Sequence, residues 1–197
     1  MRLVLASGSP RRKELLDGLR LVFEVRPPNI DETRLPEEPP AAYVERVARA
    51  KAATEVGDGL IVVAADTAVV HEGKVMGKPG HPEEARAMLR RLQDDSHEVF
   101  TGLAVGWMDG GLRLESLVDV SQVSMLSMTE EEIAWYVGTG EPLDKAGGYA
   151  LQGLGGMFVS KVTGSPSTVV GLPVHLLGRL IAASGADVTR FTREDAG

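Results

Sequence analysis

Runs of apolar residues with different textures alternate along the chain. Residues 2–6 hold the short run LVLA, suited to a buried strand, and residues 60–65 read LIVVAA. The second run is too uniformly apolar for a half-exposed strand and fits a central strand covered on both faces. Between them, Ser9 and Pro10 open a helix over RRKELLDGL, and Leu21–Val25 reads as a strand. Pro39 and Pro40 open the next helix, about Ala41 to Val56. Its apolar stripe is Tyr43, Val47, Ala50 and Thr54, with Val44 and Ala48 beside it. After Asp66-Thr67, AVVHEGKVM predicts a hairpin turning at Glu72-Gly73. Pro82 starts a helix through Leu92.

Two long strand-like stretches follow, Glu98–Trp107 and Leu112–Leu126, turning at Asp109-Gly110-Gly111. Thr129 with Glu132 makes a capping box for a helix that ends near Gly138. Glu141–Gly156 is Gly-rich and irregular, Met157–Val162 reads as a strand, and Leu172–Ala183 as a closing helix. The polar end, TRFTREDAG, is expected to fray. Strands alternate with helices, yet several strands are joined by hairpins. The pattern predicts a mixed α/β sheet rather than a doubly wound parallel one.

Composition narrows the function. The 197 residues suit one domain or two tightly joined lobes, and 43% apolar content is ample for a core. With 21 basic and 28 acidic side chains the formal net charge is −7, the wrong sign for a protein that coats nucleic acid. Cysteine is absent, which removes disulfides, thiolate nucleophiles and thiolate-ligated zinc. No apolar run approaches the roughly 18 residues of a membrane span, and the N-terminal run is too short for a signal peptide. A soluble cytoplasmic protein is expected.

Five groups of residues could carry chemistry. Ser7-Gly8-Ser9-Pro10-Arg11-Arg12 places hydroxyls, a helix N-terminus and two guanidinium groups together, a sensible phosphate cradle and equally an ordinary Ser-Pro cap. Asp66 closes the apolar run, where a carboxylate at the C-terminal end of a central strand can hold a cation or take a proton from water. An Asx-turn would use the same residue. Glu32, in Asp31-Glu32-Thr33, offers a second carboxylate or mere loop surface. Lys51 stands at the edge of its helix's apolar stripe, Lys78 lies between Gly77 and Pro79, and Lys145 sits in GEPLDKAG. Gln152, among glycines and apolar residues, is expected to have a buried amide, whose donor and acceptor faces suit a nucleobase edge.

Several motifs are missing. The sequence has no GxxxxGK[ST], no GxGxxG after a strand, no GxSxG, and no paired metal spacing among its four histidines. What remains is a metal, carboxylates and cations acting on a phosphorylated ligand.

Eight blocks in order carry a resemblance. They are LASGSPRRKELL (5–16), DET (31–33), YVERVARAKA (43–52), VVAADTAVV (62–70), GKP (77–79), HEVFTGL (97–103) and GEPLDKAGGYALQGLGG (140–156), with VVGLP (169–173) closing the series. Over nearly the whole chain the sequence resembles the Maf-type nucleotide pyrophosphatases. The resemblance implies a single Maf-like domain over 1–197, with a mixed twisted sheet and flanking helices in two lobes around a central cleft, as in the inosine triphosphatase group. It implies hydrolysis of a nucleoside triphosphate to monophosphate and pyrophosphate with a divalent cation, Mg²⁺ or Mn²⁺. Asp144–Gly147 and Gln152-Gly153 look like the branch acting on dTTP and UTP, with the 7-methyl-GTP branch or a broad range as the alternative. A non-enzymatic nucleotide-binding regulator of cell division is the rival from another class.

Carried over by position, Asp66 takes the proton-acceptor place, and Asp66 with Glu32 would hold the metal. Arg11, Thr67 and Gln152 fall at positions associated with base selection. Ser7, Arg12, Glu32, Lys51, Lys78 and Lys145 fall at polar positions of the substrate site. Pro166 and Thr168 stand where this branch more often has an aromatic residue and an Asn. The implied partner is a small nucleotide, with no nucleic acid or membrane, and the sequence leaves open whether the chain forms a homodimer.

Overall fold

The computed structural model describes residues 1–193. Strand β1 (Arg2–Leu5) leads into helix α1 (Pro10–Gly18), followed by β2 (Phe23–Val25), α2 (Pro40–Glu55), β3 (Leu60–His71) and β4 (Lys74–Met76). Helix α3 (Pro82–Leu92) precedes the long strands β5 (Ser96–Met108) and β6 (Leu112–Met125). Then come α4 (Glu130–Gly138), a run of 3-10 turns over 141–158, β7 (Val159–Thr163), the short α5 (Pro166–Val170) and α6 (Val174–Ala182). The sheet order is β2-β1-β3-β5-β6-β7, with β4 paired to β3. β1 pairs in parallel with β2 and β3, while β3–β4 and β6–β7 are antiparallel. The mixed α/β sheet expected from the alternation of helices and hairpins is therefore the architecture.

Two compact units are distinguished. The first holds Met1–Asp66, Thr101–Asp119 and the chain from Gly171; the second holds Thr67–Phe100 and Val120–Val170.

In the first unit the strands bury both faces, as the unbroken apolar run LIVVAA requires. Odd-numbered residues Leu3, Leu5, Ile61, Val63, Leu103 and Val105 form one core with Leu16 of α1 and Leu177, Leu180 and Ile181 of α6. Even-numbered Val4, Ala6, Val62, Ala64 and Ala104 form another with Ala48 and Ala52 of α2. The small residues let α2 lie close. A Cβ added at Gly102 would collide with the Val44 backbone and stand 2.9 Å from the Glu45 nitrogen.

The second unit packs Leu89 and Leu92 of α3, Ile133 and Tyr136 of α4, and Val99, Val123, Tyr149 and Phe158 into one core. Its hairpin turns where expected: Glu72 and Gly73 both have positive φ, 49° and 72°, the signature of a type I′ turn. The capping box at Thr129 is complete, with Glu132 N donating to Thr129 Oγ1 and Thr129 N donating to Glu132 Oε2.

Four expectations need correction. β3 does not stop at Ala65 but runs to His71, because Asp66 finds a partner within the sheet's own covering layer and need not turn the chain. The buried stripe of α2 is Val44, Val47, Ala48, Lys51 and Ala52, rotated from the one centred on Tyr43. The alanines carried too little apolar signal to fix the face. The closing helix expected over Leu172–Ala183 is α6, and the short α5 ahead of it carried no signal in the sequence. Ser9 makes no side-chain cap to α1; instead its N–H donates to Ser7 Oγ. Finally, the polar end is tied down through Arg193: Phe191 is buried, Val22 N donates to Phe191 O, and Leu21 bridges Thr192. Residues 194–197 of the expected fraying segment lie outside the described residues.

Candidate functional site

Side chains alternate across a strand, so Asp66 falls on the same face of β3 as Val62 and Ala64, the face that α2 covers. Lys51 lies in the buried stripe of α2, one turn beyond Val47 and Ala48. The two therefore meet under cover. Lys51 Nζ donates to Asp66 Oδ1 at 2.8 Å, and each residue is 6% exposed. Glu32 approaches the same ammonium from the loop after β2, its Oε2 also 2.8 Å from Lys51 Nζ. One cation thus sits against two carboxylates.

The Glu32 loop is itself held in place. Asp31 accepts from Thr33 N at 2.9 Å, an Asx-turn. Arg46, one turn after Tyr43 on α2, grips both Glu38 oxygens at 2.7 and 2.9 Å and donates to Thr33 O at 3.1 Å. Its guanidinium also lies 5.8 Å over the Tyr43 ring. Arg46 and Glu38 carry no functional signal in the sequence, since an arginine on a helix and a glutamate eight residues earlier read as solvated surface.

Arg12 closes the group. Its Nη1 donates to Ser7 Oγ at 3.2 Å and its Nε to Gly171 O at 2.8 Å. Burial makes its charge harder to hold, opposed by Asp66 and Glu32, and the net direction is downward. The Asp66 carboxyl is pushed up by burial, with Lys51 and Arg12 pulling the other way. The Tyr43 phenol is raised first by burial, then by the charges of Asp66 and Glu32. The like charge of neighbouring Arg11 adds to the lowering at Arg12. Ser7, Arg12, Glu32, Lys51 and Asp66 are therefore brought together in the first unit, and Arg11 stands beside Arg12 at the start of α1.

The remaining candidates belong to the second unit. Thr67 follows Asp66 on β3 and is half-buried. Lys78 is exposed in the loop after β4, where Gly77 O accepts from Gly147 N at 3.0 Å. Lys145 is half-buried; its Nζ donates to Asp144 Oδ1 and reaches Glu141 O at 3.4 Å. Gln152 is exposed rather than buried. Its loop turns inward its backbone, not this side chain, and the inward partner is Glu141, which the sequence did not single out.

As a ligand set, Glu32 and Asp66 offer hard carboxylate oxygens, the donor chemistry that Mg²⁺ and Mn²⁺ take, and both face the Lys51 ammonium. Among the described residues no group of three or more His, Cys, Asp or Glu side chains could hold a metal alone. No helix among them is long and apolar enough to cross a membrane.

These features describe a mixed α/β protein built around an acid–lysine–acid cluster, with Lys51 and Asp66 buried where α2 covers β3 and Glu32 reaching in from an exposed loop. The chain belongs to the Maf family: the model described as Maf-like protein matches residues 2–184. It is 53% identical to a dTTP/UTP pyrophosphatase of Anaeromyxobacter dehalogenans, over 93% of this chain and 94% of that protein. Proteins of the same description from Myxococcus xanthus and Vibrio vulnificus are 47% and 44% identical, covering 93% and 91% of this chain and 92% and 97% of theirs. Among solved structures, the Staphylococcus aureus Ham1 protein aligns with a TM-score of 0.47 at 11% identity, over 93% of this chain and 100% of that one.

Proposed function

We propose that this protein hydrolyses dTTP and UTP to the nucleoside monophosphate and pyrophosphate. The observation that carries the reading is the Glu32–Lys51–Asp66 cluster, in which a buried acid and a loop acid each stand 2.8 Å from one buried ammonium. Family membership and relatives described as dTTP/UTP pyrophosphatases support the substrate.

Asp66 takes a proton from the attacking water. Burial supports that role, because a carboxyl pushed up from its ordinary range is a stronger base than an exposed one. Lys51 keeps Asp66 ionised and orients the oxygen that receives the proton. Arg12, fixed by Ser7 and Gly171 O, presents charge to the polyphosphate, and Arg11 adds to it. Lys78 and Lys145 are assigned to further phosphate charge, Thr67 and Gln152 to the base. Gln152 donates to a pyrimidine O4 and accepts from N3–H, the pattern of thymine and uracil but not cytosine. Glu32 and Asp66 would hold a divalent cation, which when bound polarises phosphoryl oxygens.

The test is pyrophosphate release from dTTP, UTP, CTP and 7-methyl-GTP, with and without Mg²⁺ or Mn²⁺. Metal-dependent release from dTTP and UTP, well above the other two, is expected. Tight nucleotide binding without pyrophosphate release would replace the enzyme with a nucleotide-binding regulator.

A further inference from the structure

The loop of residues 149–156, which carries Gln152, is the least regular part of the second unit and the richest in glycine. Gly153 has φ +101°, a conformation closed to most side chains. A loop of this composition loses much conformational entropy when ordered, and strand pairing does not hold this one. Two side chains tie its backbone. The Glu141 carboxylate accepts from Leu154 N through Oε2 and from Gly155 N through Oε1, both at 3.0 Å. It also accepts from the Tyr136 hydroxyl at 2.9 Å, and that phenol oxygen accepts from Ala150 N at 3.1 Å.

The four contacts bracket Gln152 on both sides. The glycines leave room for the bracket: a Cβ at Gly153 would stand 2.8 Å from Glu141 Oε2, and one at Gly155 would collide with the Tyr136 phenol. Tyr136 is itself fully buried, so the frame is anchored in the core. Glu141 is also the residue whose carbonyl Lys145 Nζ reaches at 3.4 Å. One residue therefore ties the lysine and the glutamine to the same point.

We infer that Glu141, seated on Tyr136, is a positioning residue for base selection: it holds the 149–156 backbone so that the exposed Gln152 amide faces the pyrimidine edge in one orientation. The inference rests on the base-reading role proposed for Gln152. A side chain that merely stabilised the fold would affect all substrates alike; this one acts through Gln152 and is read in the comparison of bases.

The experiment compares Glu141→Gln, Gln152→Ala and the double variant in the full chain, measuring kcat and KM for UTP and CTP and the melting temperature. Glu141→Gln keeps the shape but turns one acceptor into a donor facing a backbone N–H. Its KM for UTP is expected to rise about tenfold with kcat within about threefold, and its UTP-over-CTP preference to fall about fivefold. In the Gln152→Ala background the same change should alter the preference by less than about twofold. Equal losses on both nucleotides, or effects that simply multiply, overturn the proposal.

Tyr136→Phe supplies a second arm that keeps the ring in the core while removing the oxygen shared by Ala150 and Glu141. A fall in preference is expected there too, and an unchanged ratio overturns the proposal. A wild-type protein that releases no pyrophosphate from UTP or dTTP sinks the pyrophosphatase reading itself, and that result appears before any substitution is made.

Discussion

Lys51 and Asp66 are each almost completely removed from water, so each ion is tolerable only because the other is present. Replacing Asp66 by Asn leaves Lys51 against an amide and removes the base; kcat is expected to fall about 10²–10⁴-fold, read from steady-state pyrophosphate release. Lys51→Met acts in the opposite sense on Asp66. Burial already raises that carboxyl and Lys51 opposes the rise. The variant should therefore move the acid side of the kcat/KM profile to higher pH, and an unmoved limb would show that Asp66 does not titrate in the working enzyme. His97 makes a separate prediction. It is buried, with Nε2 2.7 Å from the Tyr149 hydroxyl, and burial followed by the nearby His71 lowers its pKa to about 4. The unfolded chain takes up this proton near 6.5 and the folded one only near 4. Stability should fall as pH drops through that window, and a variant lacking this imidazole, His97→Gln, should flatten the decline seen in denaturant titrations.

At the scale of elements, α2 and the loop before it work as one piece. Arg46 ties Thr33 and Glu38 to the helix that carries Lys51, so it sets the distance from Glu32 to the ammonium. Arg46→Ala should weaken apparent metal affinity about 10–100-fold, as loss of a supporting hydrogen bond does, seen in activity against Mg²⁺ concentration. The same grip holds the Glu38 carboxyl down to about 2, so the loop should stay seated well below the pH at which free carboxylates protonate.

Elements with strong start signals were legible in the chain: α3 and α4 begin and end at Pro82–Leu92 and Glu130–Gly138, as the proline, the capping box and the glycine indicate. What stayed hidden depends on tertiary partners. Asp66 reads as a strand end because nothing local says that a lysine fifteen residues earlier covers it. Glu141 reads as one acid in a polar motif because its partners are backbone N–H groups and a phenol, which leave no mark in the spacing. Gln152 reads as buried because its neighbours are small and apolar, yet those glycines turn the backbone inward and leave the amide outside.

For the whole molecule, three of the four boundaries between the two units fall inside β3, β5 and β6, and the fourth falls in the short connection from α5 to α6. We propose that both units form one folding domain, as the sequence suggests; heat or urea should then give a single transition by fluorescence and by far-UV circular dichroism, whereas two separated steps would show that each unit stands alone.

The missing side chain at Gly102 has a wider reach than its size implies. Helix α2 rests with its Val44 carbonyl directly on that position, two turns ahead of the lysine that faces both acids. A single methyl group there acts as a wedge under a lever: the near end lifts by a fraction of an ångström, and the far end swings the ammonium off its seat. Gly102→Ala should thus behave as a catalytic lesion although it touches no reacting atom, with kcat falling more than the melting temperature alone would account for.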